Sequence, residues 1–416
     1  MAKTAVAVRA VAVAICLLWA VTKLHAGEMD ILLRKLVEKG ILTEGEAVQV
    51  LAETQTEMKK EVAKGLAEGL PKFIQETKFS GDLRLRYQWE EASNATKEDR
   101  QRGRFRLRFG FDTTVNDKTK AGIRLATGAK EPTSTNQTFD DDFVGKPIAV
   151  DRAYINYQPT SSLSLAGGKL SNPYFTTDLL WDSDVNPEGA YLSYAPAFTA
   201  VSPFVTIGFF SLDESRVWSA DPCLISTQIG MKTKIAGHPL QLAFGYNNFM
   251  GLKGKKVTDV SPNYNKKGNS LSADDRWIYD YRVLAADMEY SPFQWQIGNQ
   301  SLPLKLYGQY LRNVYPGVPA DQKSGWLAGF SLGKTKSRGD WEFGYNYRRL
   351  GADATLDILT DSDFHGGGTN GRGHKFTVSY AAAKNTVFGL TYFDTGSLTG
   401  TRKDVKMLQV DCVVKW

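Results

Sequence analysis

The chain is short of the residues on which most catalytic and metal chemistry depends. Among 416 residues there are four histidines and three cysteines. Cys16 and His25 fall in the first 26 residues, which leaves His238, His365 and His374 with Cys223 and Cys412. No C-x-x-C pair offers metal-ligand spacing, no C-x-x-C-H attaches haem, and two lone cysteines make no disulfide framework. A nucleophile-and-base enzyme needs a histidine beside a serine and an orienting carboxylate. The strand pattern below puts the three histidines in a turn, in a loop and on an outward face, so we expect no enzyme, no cofactor and no bound metal. Long apolar runs are missing too. Past residue 26 nothing approaches the ~20 apolar residues of a spanning helix, so a chain that crosses a membrane must cross with strands. Nor does one charge dominate: the net +6 falls to +3 once Lys3, Arg9 and Lys23 of the N-terminal segment are set aside, too mild a surplus for nucleic acid.

What the chain does have is glycine and aromatic residues, 38 Gly and 12% Phe, Trp and Tyr, at a mean hydropathy of −0.32. A polar average with many aromatics suits strands that show one face to lipid and the other to water. Residues 1–26 read as a secretory signal peptide, with Lys3 and Arg9, an apolar run over 11–21 and the small residue Ala26 before the cut. Residues 27–77 read as a helical arm rich in Glu, Lys, Leu and Ala. Ile31, Leu32, Lys35 and Leu36 suggest a short amphipathic helix that Gly40 ends. Thr43 with Glu46 three residues on is a capping-box pattern for a second helix. Val48, Leu51, Met58 and Val62, with Gln55 in the same stripe, make a short coiled-coil seam, either a device for self-association or a helix packed elsewhere.

From residue 78 to Trp416 the period switches to two. Phe79, Leu83, Leu85, Tyr87 and Trp89 alternate with polar residues, and Phe105, Leu107, Phe109 and Phe111 alternate with Arg104, Arg106 and Arg108. Further runs lie near 119–128, 148–158, 162–170, 189–195, 202–211, 223–235, 239–249, 280–291, 302–312, 324–335, 340–349, 373–382, 385–394 and 404–416. Most are about the 9–11 residues of a tilted spanning strand. The count is about sixteen, the even number that single-chain bacterial barrels favour. Short connections such as 116–118, 159–161, 195–197, 236–237 and 383–384 alternate with long polar ones. That alternation predicts an all-β transmembrane barrel with both ends in the periplasm and the long loops outside. The connection over 291–300 is longer than this scheme wants.

Three stretches carry a family resemblance: residues 36–47 (LVEKGILTEGEA), 150–157 (VDRAYINY) and 181–190 (WDSDVNPEGA), the last being the most specific. On these the chain resembles a porin family seen in sediment and metal-reducing bacteria, across nearly all of the sequence after the leader. The resemblance implies an outer-membrane barrel that passes small hydrophilic solutes or ions by diffusion, surrounded by lipid and lipopolysaccharide, with no agreed substrate. A homotrimer, assembled with the help of the arm's seam, is the expectation here.

If the apolar rows face lipid, the opposite rows line the lumen. That predicts a wall of Arg84, Arg86, Arg104, Arg106, Arg108, Lys120, Arg124 and Arg152. Like charges so close need water, counter-ions or facing carboxylates. The third long connection, 171–188, offers Asp178, Asp182, Asp184 and Glu188. Basic wall opposite acidic loop would set a transverse field that sorts solutes by charge. Three other readings stay open. Asp82 and Asp112 could tie the arginines into stiffening salt bridges, the 182–188 run could be a capped turn, or its oxygens could hold Ca²⁺. As function, the alternatives are a channel specific for phosphate or another oxyanion, and a non-conducting structural or adhesin barrel.

Overall fold

A computed structural model describes residues 72–92, 99–128, 131–214, 221–262, 267–298, 300–400 and 403–416, with scattered positions between 33 and 57 before them. The chain divides into two units, Met1–Glu76 and Thr77–Trp416.

In the first unit the capping box is formed. Thr43 N donates to Glu46 Oε2 at 2.8 Å and Glu46 N donates back to Thr43 Oγ1 at 3.3 Å, which satisfies two of the donors a helix start leaves open. The expected leader and the seam residues Val48, Leu51, Gln55, Met58 and Val62 lie outside the described residues.

The second unit is a closed antiparallel barrel. Its wall is β1 (Thr77–Ala92), β2 (Arg100–Asn116), β3 (Thr119–Thr127), β5 (Ile148–Thr160), β6 (Leu163–Lys169), β7 (Glu188–Tyr194), β8 (Val201–Ser211), β9 (Cys223–Ile235), β10 (His238–Met250), β11 (Tyr281–Ile297), β12 (Gln300–Asn313), β13 (Ser324–Gly333), β14 (Trp341–Leu350), β15 (Gly371–Ala383), β16 (Thr386–Ser397) and β17 (Asp404–Lys415). A two-residue strand, β4 (Gln137–Thr138), adds to β2 from a loop. Each wall strand pairs with its neighbours in order, and β1 closes on β17 from Asp82↔Lys415 to Ala92↔Val405. Closure leaves no strand edge open. The last residue takes part in it: Gly81 N and Trp416 N each donate to the other's carbonyl at 3.1 Å. A Cβ at Gly81 would sit 2.5 Å from the Trp416 ring, so the close approach requires glycine.

Burial follows the period-two pattern with the sign inverted relative to a water-soluble protein. On β1, Phe79 and Leu85 are 60% and 50% exposed while Arg86 and Gln88 are 6% and 2%. The apolar row faces outward and the polar row inward, as a lipid-facing wall demands. Among the described residues no helix is long and apolar enough to cross a membrane.

Two bulges refine the pattern. Most of the expected long connection at 291–300 is instead strand, because β11 runs to Ile297, absorbing Ser291 and Pro292 in a register shift between Tyr290 and Phe293, and β12 begins at Gln300. Proline lacks the donor for a regular ladder and is tolerated at a bulge. On β5 the partners step from Arg124↔Arg152 to Leu125↔Val150. The extra residue, Asp151, is 8% exposed and reaches the arginines on the inner face.

The long loops 171–187, 251–280 and 351–370 build a hydrophobic core with the inner ends of the strands. Leu179, Leu180, Trp181, Leu252, Trp277, Leu356 and Leu359 are all buried in one cluster with Phe210, Tyr281 and Leu311. Apolar burial of this size drives loops together as it drives any core.

Candidate functional site

The β1–β2 register sets Arg84 opposite Arg106 and Arg86 opposite Arg104, with Asp82 opposite Arg108. Four guanidinium groups therefore occupy one inner patch. Wall carboxylates neutralise some of them. Arg106 Nη2 donates to Asp82 Oδ1 at 2.8 Å and Arg108 Nε to Asp82 Oδ2 at 2.7 Å. Arg86 forks onto Asp411, with Nε–Oδ1 at 2.7 Å and Nη2–Oδ2 at 2.8 Å. Asp112 accepts from the Tyr154 hydroxyl instead.

Loop 171–187 supplies the next layer. Asp184 Oδ1 accepts from Arg106 Nη1 at 3.5 Å and Arg108 Nη1 at 3.3 Å. Asp178 lies 3.4 Å from Lys375 Nζ on β15. Asn186 bridges Arg152 Nε at 2.7 Å and Asp151 at 2.8 Å, and Arg124 Nε contacts the other Asp151 oxygen. The loop's far side is fastened to the wall. Gln228 on β9 exchanges two hydrogen bonds with the Phe175 backbone at 2.7 and 2.9 Å, and Gln309 on β12 holds Thr176 and Thr177, both at 2.7 Å.

Two expected members stand apart. Glu188 is the first residue of β7, and its register partner across the hairpin is Lys169, whose ammonium it accepts at 2.5 Å. The strand has already begun there, so the side chain cannot turn to the arginine wall with the loop. Lys120 lies four residues along β3 from Arg124, about 13 Å at strand rise, and is exposed.

A second acidic loop, 351–370, meets the same patch. Asp363 Oδ2 accepts from Arg86 Nη1 at 2.9 Å, and Asp361 Oδ2 from Arg348 Nη2 at 2.7 Å. The loops also bond to each other: Asp182 N donates to Leu359 O at 2.7 Å, and Ser362 N to Asp182 Oδ2 at 2.8 Å. The signal was present in Leu356, Ile358 and Leu359, apolar residues without purpose in a solvated tip. A third loop contributes Asn136, whose Oδ1 accepts from Arg84 Nη2 at 2.5 Å, and Thr135, 3.4 Å from Asp184. Arg84, Arg86, Arg106, Asp182, Asp363 and Lys375 line a cavity of about 160 Å³ among these groups.

The loop carboxylates differ in electrostatics. Burial pushes the Asp182 carboxyl up to about 8, and the charges of Asp361 and Asp184 push the same way, against backbone donors from Asp184 and Ser362. A carboxyl whose folded value is raised contributes stability that is full below its ordinary value near 4 and lost as pH climbs through the raised one. The contact between the two acidic loops should therefore weaken from about pH 4 to about pH 8. Protease cleavage within loop 351–370 across that range should grow with pH in the wild type and stay flat in Asp182→Asn. The same pH profile in both would remove Asp182 as the cause.

A family model described as "Putative porin" matches residues 89–279 and 304–416. Among solved structures, the high-pH form of OprB from Pseudomonas putida superposes with a TM-score of 0.54 at 10% identity, covering 82% of this chain and 94% of that one. OmpF of Salmonella typhi in complex with daunomycin gives 0.47 at 11%, covering 82% and 97%. The outer-membrane channel DcaP of Acinetobacter baumannii gives 0.46 at 12%, with the same coverage. No curated protein matches the chain with significance.

Proposed function

The chain belongs to that porin family, an outer-membrane channel rather than an enzyme, and from this premise we propose that solutes pass alongside the contact of the arginine wall with two acidic loops. Small hydrophilic solutes and ions diffuse through the water-filled lumen. The field of Arg84, Arg86, Arg104, Arg106 and Arg108 against Asp178 and Asp184 sorts them by charge, with Asp182 largely protonated at neutral pH and joining the acidic side as pH rises. The observation that carries the reading is the approach of Asp184 to Arg106 and Arg108 at 3.5 and 3.3 Å, which supports a loop folded against the wall. Asp361 and Asp363 extend the acidic side. Arg124 and Arg152, held by Asp151 and Asn186, brace the loop's exit, while Lys120 and Glu188 act outside the narrowest zone.

Both barrel ends face the periplasm in this reading, the arm lies there, and three copies assemble in the lipid and lipopolysaccharide bilayer. The helix start capped at Thr43 supports an ordered arm; chemical cross-linking of the full chain would test the trimer.

Planar-bilayer recording of refolded protein tests the channel. Replacing Arg104, Arg106 and Arg108 together by alanine should move the reversal potential in asymmetric salt toward cations, by roughly a several-fold change in permeability ratio if each lost charge acts over less than a Debye length. An unchanged reversal potential would sink the proposed wall. The interlocked loops also favour a second reading, a barrel that does not conduct, which zero conductance would establish.

A further inference from the structure

The arginine patch is unevenly neutralised. Of its four members, Arg86 and Arg106 sit on carboxylates. Arg84 and Arg104 do not. Among the described residues Arg84 hydrogen-bonds only the amide oxygen of Asn136, and Arg104 only that of Gln88 at 3.2 Å. The Nε of each is buried with no hydrogen-bond acceptor, and Arg104 as a whole is 9% exposed. A guanidinium carries five donors in a fixed fork and cannot shed its charge; Asp363 acts on both of these only through space, with Asp411 also acting on Arg84, so each keeps donors with no carboxylate hydrogen-bonded to them. The two arginines are diagonal neighbours across the β1–β2 ladder, about 7–8 Å apart at the backbone. One tetrahedral anion between them could accept from both forks. Room exists on either side. Arg84 borders the cavity of about 160 Å³ described above, and Arg104 borders one of about 360 Å³ under loop 128–147, with Asn136 lining both.

We propose that Arg84 and Arg104, with Asn136, bind a small oxyanion of the phosphate type within the lumen. The proposal rests on the channel reading for its access route and refines it, since a site with two arginines that no carboxylate hydrogen-bonds would hold an oxyanion on its way through. Oxygen-rich anions fit better than halide because each offers several acceptors to the paired donors of a guanidinium. The inward position reserves the site for a dissolved anion and excludes a lipid headgroup.

Titration calorimetry of the refolded full-length protein with inorganic phosphate, sulfate and chloride provides the test. Phosphate and sulfate should bind and chloride should not. Arg84→Gln with Arg104→Gln should weaken phosphate at least tenfold, while Lys305→Gln on β12 leaves it unchanged. Asn136→Asp is the variant that guards against misfolding. It places a carboxylate where Arg84 now meets an amide, so the barrel should keep its strand content while phosphate binding falls. Phosphate binding that is absent in the wild type, or equal in wild type and Asn136→Asp, would overturn the site. Conductance is measured separately. A conducting channel that binds no phosphate ends this inference and leaves the channel standing, whereas phosphate binding without conductance does the reverse.

Discussion

Arg86→Ala should destabilise the barrel by about 3–5 kcal/mol, the usual cost of stranding a buried ionic partner, and should raise its conductance. Arg86 is the tie between wall and loop. Its guanidinium forks onto Asp411 of β17 and also holds Asp363 of loop 351–370 at 2.9 Å, with its own side chain 5% exposed. Burial would raise the Asp363 carboxyl, but the Arg86 guanidinium overrides it and holds the group well below the usual carboxylate range. A depressed value means the stabilisation is present above the ordinary carboxylate value near 4 and disappears as pH falls through the depressed one. In the alanine variant two carboxylates lose their shared cation. Asp363 then escapes by protonation or by carrying its loop away from the wall, and the second route widens the gap. Arg86→Lys keeps the charge without the fork and should fall between wild type and alanine in both measurements. Thermal unfolding monitored by gel mobility gives the stability, and single-channel recording gives the aperture. If the alanine variant melts and conducts as the wild type does, Arg86 does not tie the loop.

The barrel itself was legible because its physics is local. Alternation between lipid and water repeats every two residues, so strands such as β9 (Cys223–Ile235) are read from the sequence to the residue. The exception at Ser291–Pro292 shows the limit. A proline beside a serine reads as a turn, and only the partner strand β12 reveals that the ladder resumes after a bulge. The inward placement of Arg84, Arg86, Arg104, Arg106 and Arg108 follows from the same alternation. Of their partners, Asp82 on the neighbouring strand follows as well; the loop carboxylates and Asp411 do not, because they depend on how the barrel closes and its loops fold. Asp182 and Asp184 were named from a loop's place in strand order. Asp361 and Asp363 do not follow from strand order, because their partners Arg348 and Arg86 are met only when the loop folds against the wall. Asp151 was missed for a different reason: a bulge sets it on the inner face beside Arg152, which period-two counting forbids.

Loop 351–370 is also gripped from its apolar side, and Trp181→Ala tests that grip without touching a charge. Trp181 is 3% exposed in the core that joins loops 171–187, 251–280 and 351–370, with the Tyr174 ring 6.5 Å away. The backbone bond from Asp182 N to Leu359 O at 2.7 Å follows it directly in the chain. Truncating a buried tryptophan costs about 3–5 kcal/mol through lost burial and the cavity left behind. Here the loss falls on the loops, since the barrel ladder makes no use of this side chain. The strands should keep their melting behaviour more fully than the loops keep their closure. Limited proteolysis should then cut within 171–187 or 351–370 in the variant and spare the wild type, and open-channel noise should rise. Trp181→Phe retains most of the apolar volume, and it removes a buried indole Nε1 that has no acceptor, so its effect should be small. Combined with Arg86→Ala, the tryptophan change tests whether one loop is clamped from two sides. Two grips on the same segment predict that the double variant gains less conductance than the sum of the singles, because the first release already frees the loop. Strict additivity would mean that the ionic and apolar contacts hold independent parts of the lumen.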